Sequence, residues 1–147
     1  MEVLLVEDDE NDIEAVLRLA AKSRLDLHVT TATTGDEAVE QLSRRRTELR
    51  GRCRQAPDLV LLDLNLPAKP GMDVLRWIKT DDDLREVPVV IVTGDDDDRA
   101  IRQGRELGAH SHIRKPITLR SLVWIATAVR NYRSRLTKLA STSSEEA

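Results

Sequence analysis

"LVLLDLNLP", residues 59–67, is the stretch on which the fold turns. Leu59, Val60, Leu61 and Leu62 make an apolar run too short for a helix and unbroken by any polar residue, the pattern of a strand covered on both faces. The run stops at Asp63. "VLLV" (residues 3–6) and "VVIV" (residues 89–92) repeat the pattern, while "LHVTTA" (residues 27–32) and "HSHI" (residues 110–113, followed at once by "RKP") are weaker strand candidates. Helical spacing fills the intervals. Ile13, Val16, Leu17 and Ala20 share a face, as do Ala38, Val39 and Leu42, then Val74, Leu75 and Ile78, and finally Leu119, Leu122, Val123 and Ala126. Gly35 and Gly71 mark helix entries, and Gly108 suits the position just past a helix begun near Asp98. Strand and helix thus alternate five times, which predicts a parallel sheet with helices on both faces.

In such a sheet ligands gather outside the carboxyl ends of the strands. The first strand ends in "EDD" (residues 7–9), the third in "DLN" (63–65), the fourth in "TGDD" (93–96) and the fifth in "KP" (115–116). Parallel strands therefore bring Glu7, Asp8, Asp63, Thr93 and Lys115 to one edge. Crowded carboxylates repel one another and are costly to desolvate, so the cluster needs a compensating cation. Magnesium favours one or two carboxylates, water and phosphate oxygens. The acidic cluster thus awaits a metal, with the backbone carbonyl of Asn65 as a further donor. Asp63 then reads as a nucleophile toward phosphorus, with Lys115 neutralising phosphoryl oxygens and Thr93 donating a hydrogen bond to one of them.

Composition narrows the class. The chain has 147 residues and a net charge of −3, enough for one domain with a real core. That charge gives no electrostatic case for nucleic acid. Cys53, the one cysteine, can form neither an internal disulfide nor a zinc site alone and fits a reducing compartment. No apolar run approaches the roughly 20 residues of a membrane span, and no signal peptide precedes the first strand, so a cytoplasmic protein is expected. With Trp77, Trp124 and Tyr132 as the aromatic residues, platforms for stacking bases are scarce.

Taken in order, "LLVEDD", "LVLLDLNLP", "VVIVTG" and "IRKPI" resemble the motifs of response-regulator receiver domains of two-component signalling, over about Glu2 to Arg133. The resemblance implies a flavodoxin-like, doubly wound fold of five parallel strands and five helices. It also implies a Mg²⁺-dependent transfer of a phosphoryl group from a phosphohistidine, on a sensor histidine kinase or a histidine phosphotransfer protein, to Asp63. The family's acidic pair falls on Glu7 and Asp8, its hydroxyl on Thr93 and its lysine on Lys115, with a cis bond to Pro116, which implies Asp8 and Asp63 as direct metal ligands, Glu7 behind them and the Asn65 carbonyl beside them. Asp9 falls outside the pair. The family's switch residue, usually Tyr or Phe on the fifth strand, is here His112, which would follow Thr93 inward on activation. Asn65, and Asp95 two residues beyond Thr93, suggest hydrolysis of the phosphoryl group rather than long storage. The long connection "RRRTELRGRCRQAP" (residues 44–57) and "DVLRWIKTDDDLREVPVV" (residues 73–90) look like the single-domain regulators associated with bacterial phytochromes.

Simpler readings accompany these. Asp9 or Asn11 can cap a helix over residues 11–23. The acidic run from Asp95 to Asp98 reads as a cap and solubilising loop, His28 and His110 as structural or exposed, and the arginines from Arg44 to Arg54 as a solvated, mobile loop rather than a docking patch. Gly104 interrupts a helical pattern at a cost of about 1 kcal/mol against Ala, either softening that helix or tolerated incidentally. After a receiver over residues 1–133, Val129, Tyr132, Leu136 and Leu139 keep helical spacing, which suggests an extension able to pair two protomers, and "STSSEEA" reads as a disordered tail.

The sequence thus predicts a phosphoacceptor signalling protein, not an enzyme acting on other substrates, that works through protein contacts without a DNA-binding output domain. A relay intermediate or phosphate sink is the alternative. A Mg²⁺-dependent phosphohydrolase with an aspartate nucleophile is disfavoured because its acid/base aspartate would stand where Asn65 does.

Overall fold

The computed structural model describes residues 1–49, 56–94 and 98–146. Five strands, β1 (Glu2–Val6), β2 (His28–Ala32), β3 (Leu59–Asp63), β4 (Val89–Thr93) and β5 (Ser111–Arg114), alternate with five helices. These are α1 (Glu10–Lys22), α2 (Gly35–Leu49), α3 (Gly71–Thr80), α4 (Asp98–Glu106) and α5 (Leu119–Glu146). The strands form one fully parallel sheet in the order β2-β1-β3-β4-β5. This is the parallel sheet with helices on both faces that the alternation predicts, in the flavodoxin-like arrangement that the resemblance implies. The weaker strands begin one residue later than expected, at His28 and Ser111.

The unbroken apolar runs follow from this topology. Successive side chains of a strand point to opposite faces, and both faces here are covered. Leu4, Val6, Val60, Leu62, Val89 and Ile91 pack with Ala38 and Leu42 of α2 and Val74, Leu75 and Ile78 of α3. Val3, Leu5, Leu59, Leu61, Val90 and Val92 pack with Val16 of α1 and Leu122, Ile125 and Val129 of α5. Each side chain buried in this way is worth roughly 1.5–3 kcal/mol, so the central strands, where the site is mounted, are the most firmly held.

Helix ends are specified locally. Asp9 caps α1, its carboxylate accepting the amides of Asn11 at 2.8 Å and Asp12 at 3.2 Å. Gly108 follows α4 at φ +105°, and the Gly108 and Ala109 amides close the helix onto the carbonyls of Arg105 and Gly104. Gly104 is neither incidental nor a softening residue. It is buried, and a Cβ there would lie 2.1 Å from Ile91 Cδ1, so the missing side chain is what lets α4 approach β4.

Three other expectations shift. The arginine-rich connection starts later than residue 44, because α2 continues to Leu49; residues 50–55 lie outside the described part of the chain. Arg44 pairs with Glu40 one turn back. The last helix runs to Glu146, so residues 141–146, read as part of a disordered tail, are helical. Val129 is buried in the core and the Tyr132 ring packs against His110 at 5.2 Å, so both hold α5 to its own domain and are not free to face a second protomer. No helix among the described residues is long and apolar enough to cross a membrane.

Candidate functional site

Four strand exits build the site. Glu7 and Asp8 directly follow β1, Asp63 and Thr93 close β3 and β4, and Lys115 directly follows β5. Pairing of Val6 with Leu62, Asp63 with Val92 and Thr93 with Arg114 sets these exits side by side. Glu7, Asp63 and Thr93 are 3%, 2% and 4% exposed, whereas Asp8 faces solvent. One carboxylate oxygen from each of Glu7, Asp8 and Asp63 lies within 4.8 Å of the others. Oxygens at that spacing fit a small, hard divalent cation, which accepts carboxylates alongside water.

Lys115 is the counter-charge. Its Nζ lies 2.9 Å from Glu7 Oε2, 3.0 Å from Asp12 Oδ2 and 3.1 Å from Asp63 Oδ2. Its own backbone helps to aim it, the Lys115 amide donating to the Thr93 carbonyl at 2.8 Å; the bond into Pro116 is cis. Asp63 is held from two sides, because its Oδ1 accepts the Asn65 amide at 2.9 Å while Oδ2 receives Lys115. The Asp9 amide donates to Glu7 Oε1 at 3.1 Å. Gly71 presses against this loop so closely that a Cβ would lie 2.3 Å from the Asp63 carbonyl oxygen.

The electrostatics are those of an excess of negative charge. Burial pushes the Glu7 carboxyl up to about 7; Lys115 and the Asp9 amide pull it back, and Asp63 adds to the rise. Burial works against the Lys115 ammonium, yet Glu7, Asp12 and Asp63 together hold its pKa above the ordinary lysine value. One ammonium does not balance this many carboxylates, and a bound dication would.

Glu7, Asp8, Asp63, Thr93 and Lys115 all converge at this edge, as the strand ends foretold. Asp9 is turned to capping α1. His112 is half-buried on β5 opposite Ile91, beside a shallow depression lined also by Ile101, Arg105, Ala109 and Ser111 that has no room for a water molecule. Asp95 lies outside the described residues. The residue that sequence reasoning missed is Asp12. Three positions after the cap Asp9, it reads as an acid suited to the helix dipole in the first turn, and its reach to Lys115 emerges only once α1 is docked on the sheet.

Comparison with known proteins matches residues 3–127 to the response regulator receiver domain. The chain belongs to that family. Among relatives of this receiver, the polar-differentiation response regulator DivK of Brucella anthropi is 34% identical over 120 residues, covering 80% of this chain and 85% of DivK. The bacteriophytochrome response regulator AtBRR superposes with a TM-score of 0.73 at 32% identity, covering 87% of this chain and 91% of that one. The phosphorylated cyanobacterial phytochrome response regulator RcpA gives 0.70 at 34%, with 89% and 91% covered. The Mn²⁺-bound form of response regulator Rcp1 gives 0.67 at 30%, with 87% and 90% covered. The receiver is thus similar to phytochrome-associated regulators, and its signalling class is two-component.

Proposed function

We propose that this receiver accepts a phosphoryl group on Asp63 from a phosphohistidine of a sensor histidine kinase, in a Mg²⁺-dependent reaction, and signals through protein–protein contacts. The observation that carries the reading is the Lys115 ammonium, 3.1 Å from a carboxylate that is itself buried at a strand exit. A buried carboxylate held by a lysine and one backbone amide is oriented before any donor arrives, which removes part of the entropic cost of attack. One Asp63 oxygen attacks phosphorus, an O–P bond forms as the P–N bond breaks, and the departing imidazole keeps the bonding pair and is protonated. Lys115 neutralises a phosphoryl oxygen and Thr93 donates a hydrogen bond to another. Asp8, Asp63 and the Asn65 carbonyl would hold Mg²⁺ with Glu7 behind them, and the ion, when bound, would neutralise carboxylate and phosphoryl oxygens together. The phosphorylated state of RcpA and the bound Mn²⁺ of Rcp1 support both parts.

His112, half-buried on β5 opposite Ile91, is the proposed switch residue. The similarity to AtBRR and RcpA favours a phytochrome kinase as the donor, with a histidine phosphotransfer protein as the other candidate. A homodimer would use the α5 extension beyond residue 133. Exposed Leu119, Val123 and Trp124 add an apolar patch on that helix.

The test is incubation with acetyl phosphate and Mg²⁺ followed by intact-mass measurement. One phosphoryl adduct, lost in Asp63→Asn and in chelator, is the expected result. No adduct, or repeated turnover of varied phosphate esters, would overturn the proposal.

A further inference from the structure

The loop from β3 to α3, residues 64–70, reverses through a strained residue. Ala68 has φ +64°, and the Lys69 amide donates across it to the Pro67 carbonyl at 2.7 Å. A γ-turn of this hand is rare, and an alanine adopts it only against a steric cost. Such a conformation persists where its surroundings over-determine it. Ala68 is itself exposed, so the constraint comes from its neighbours. Lys69, next in the chain, lies over the first turn of α2. Its Cβ and Cδ stand 3.0 and 3.1 Å from where a Cβ of Gly35 would be, and its Nζ is 3.3 Å from Asp36 Oδ1. The Asp36 side chain is 80% exposed and that of Lys69 34%. Water therefore screens the ion pair, and the apolar stem is the part that is held.

The far foot of the loop is wedged. Gly71 is buried, its amide donates to the Leu64 carbonyl at 3.3 Å, and a Cβ there would lie 2.3 Å from the Asp63 carbonyl oxygen. The near foot is looser, with Leu66 the most exposed of the buried residues in its cluster and Asn65 exposed. Relaxation at Ala68 is thus taken up on the Asn65 side of the turn.

We propose that Lys69 is a positioning residue for the metal site: its stem, seated on Gly35, holds Ala68 left-handed and so keeps the Asn65 carbonyl in place as a donor. The inference rests on the metal reading of Asp8, Asp63 and Asn65, and it brings α2 into a site otherwise built from strand exits.

Calorimetric titration with Mg²⁺ tests it on the full chain, on Lys69→Met, on Lys69→Ala and on the double variant Ala68→Gly with Lys69→Ala. Methionine and alanine remove the same charge, so the difference between them reports the stem. Lys69→Met should bind within about twofold of the parent. Lys69→Ala should bind about fivefold more weakly than Lys69→Met, because the cation then has to restore one left-handed residue. Glycine takes positive φ without that cost, so the double variant should return to within about twofold of Lys69→Met. In chelator, the Asn65 amide resonance should move in Lys69→Ala relative to Lys69→Met and return in the double variant. Equal binding by Lys69→Ala and Lys69→Met, no recovery with Ala68→Gly, or a stationary Asn65 resonance would overturn the inference while the parent still binds. No binding of Mg²⁺ by the parent would overturn the metal reading itself.

Discussion

Lys115 Nζ lies 3.1 Å from Asp63 Oδ2 across 52 residues of sequence. Nothing local joins the two. The contact exists because β3 and β5 both finish at the same sheet edge, and because the acids around Lys115 outnumber it.

Replacing Lys115 by Met should therefore destabilise the metal-free chain by about 3 kcal/mol, since removal of one partner strands buried charge. Millimolar Mg²⁺ should return part of that loss. Urea unfolding in chelator and in Mg²⁺ measures both.

Glu7 sets a pH dependence. Its carboxyl titrates near 7 in the folded chain against an ordinary value of 4.5. Between those values the folded state keeps a proton that the unfolded state has released. The stability linked to Glu7 is thus present below about 4.5 and is lost as pH rises through about 7. Glu7→Gln should flatten that decline and raise stability at pH 8 by about 2 kcal/mol in chelator. Urea midpoints at pH 5 and pH 8 provide the comparison.

Asp8 is exposed while its two carboxylate neighbours are buried. Asp8→Asn should leave metal-free stability within about 0.5 kcal/mol. The same change should remove most of the Mg²⁺-induced stabilisation, which reaches about 2.7 kcal/mol at one hundred times the dissociation constant and shows as a rise in melting temperature. Calorimetric scans with and without Mg²⁺ distinguish the two effects.

Two glycines are held to their identity by space. At Gly71 a Cβ would meet the Asp63 carbonyl oxygen at 2.3 Å and Leu64 Cα at 2.8 Å, backbone atoms that cannot swing aside. Gly71→Ala should cost about 2–3 kcal/mol and displace the loop that follows Asp63. At Gly104 the obstacle is Ile91 Cδ1, the end of a side chain. Gly104→Ala should cost about 1–2 kcal/mol, and Ile91→Val, which deletes that methyl, should recover part of it in the double variant. Denaturation of the four proteins tests the coupling.

The site was largely legible before the fold was known, for a physical reason. Apolar runs buried on both faces announce parallel strands, and each run stops where its chemistry begins, so Asp63, Thr93 and Lys115 could be assigned to one edge. What escaped depends on packing between elements. Asp12 needed the docking of α1, the purpose of Gly104 needed the position of Ile91, and the confinement of Val129 and Tyr132 needed the path of α5. Asp9 shows the converse, since both a cap and an acidic cluster were legible and only the hydrogen bonds to Asn11 and Asp12 decide between them.

At the far rim of the sheet, where β4 and β5 begin, Tyr132 donates to Glu86 at 3.3 Å and packs its ring at a tilt of 58° against His110, while Lys79 donates to the Val87 carbonyl at 2.8 Å. A strand of five residues separates this bracket from the acidic rim, roughly 13 Å at 3.3 Å per residue. Changes at the two ends share no partners and are far enough apart to act additively. Thermal robustness could then be raised through the bracket while the acidic rim keeps its own tuning, which makes this receiver a suitable frame for engineering one property at a time.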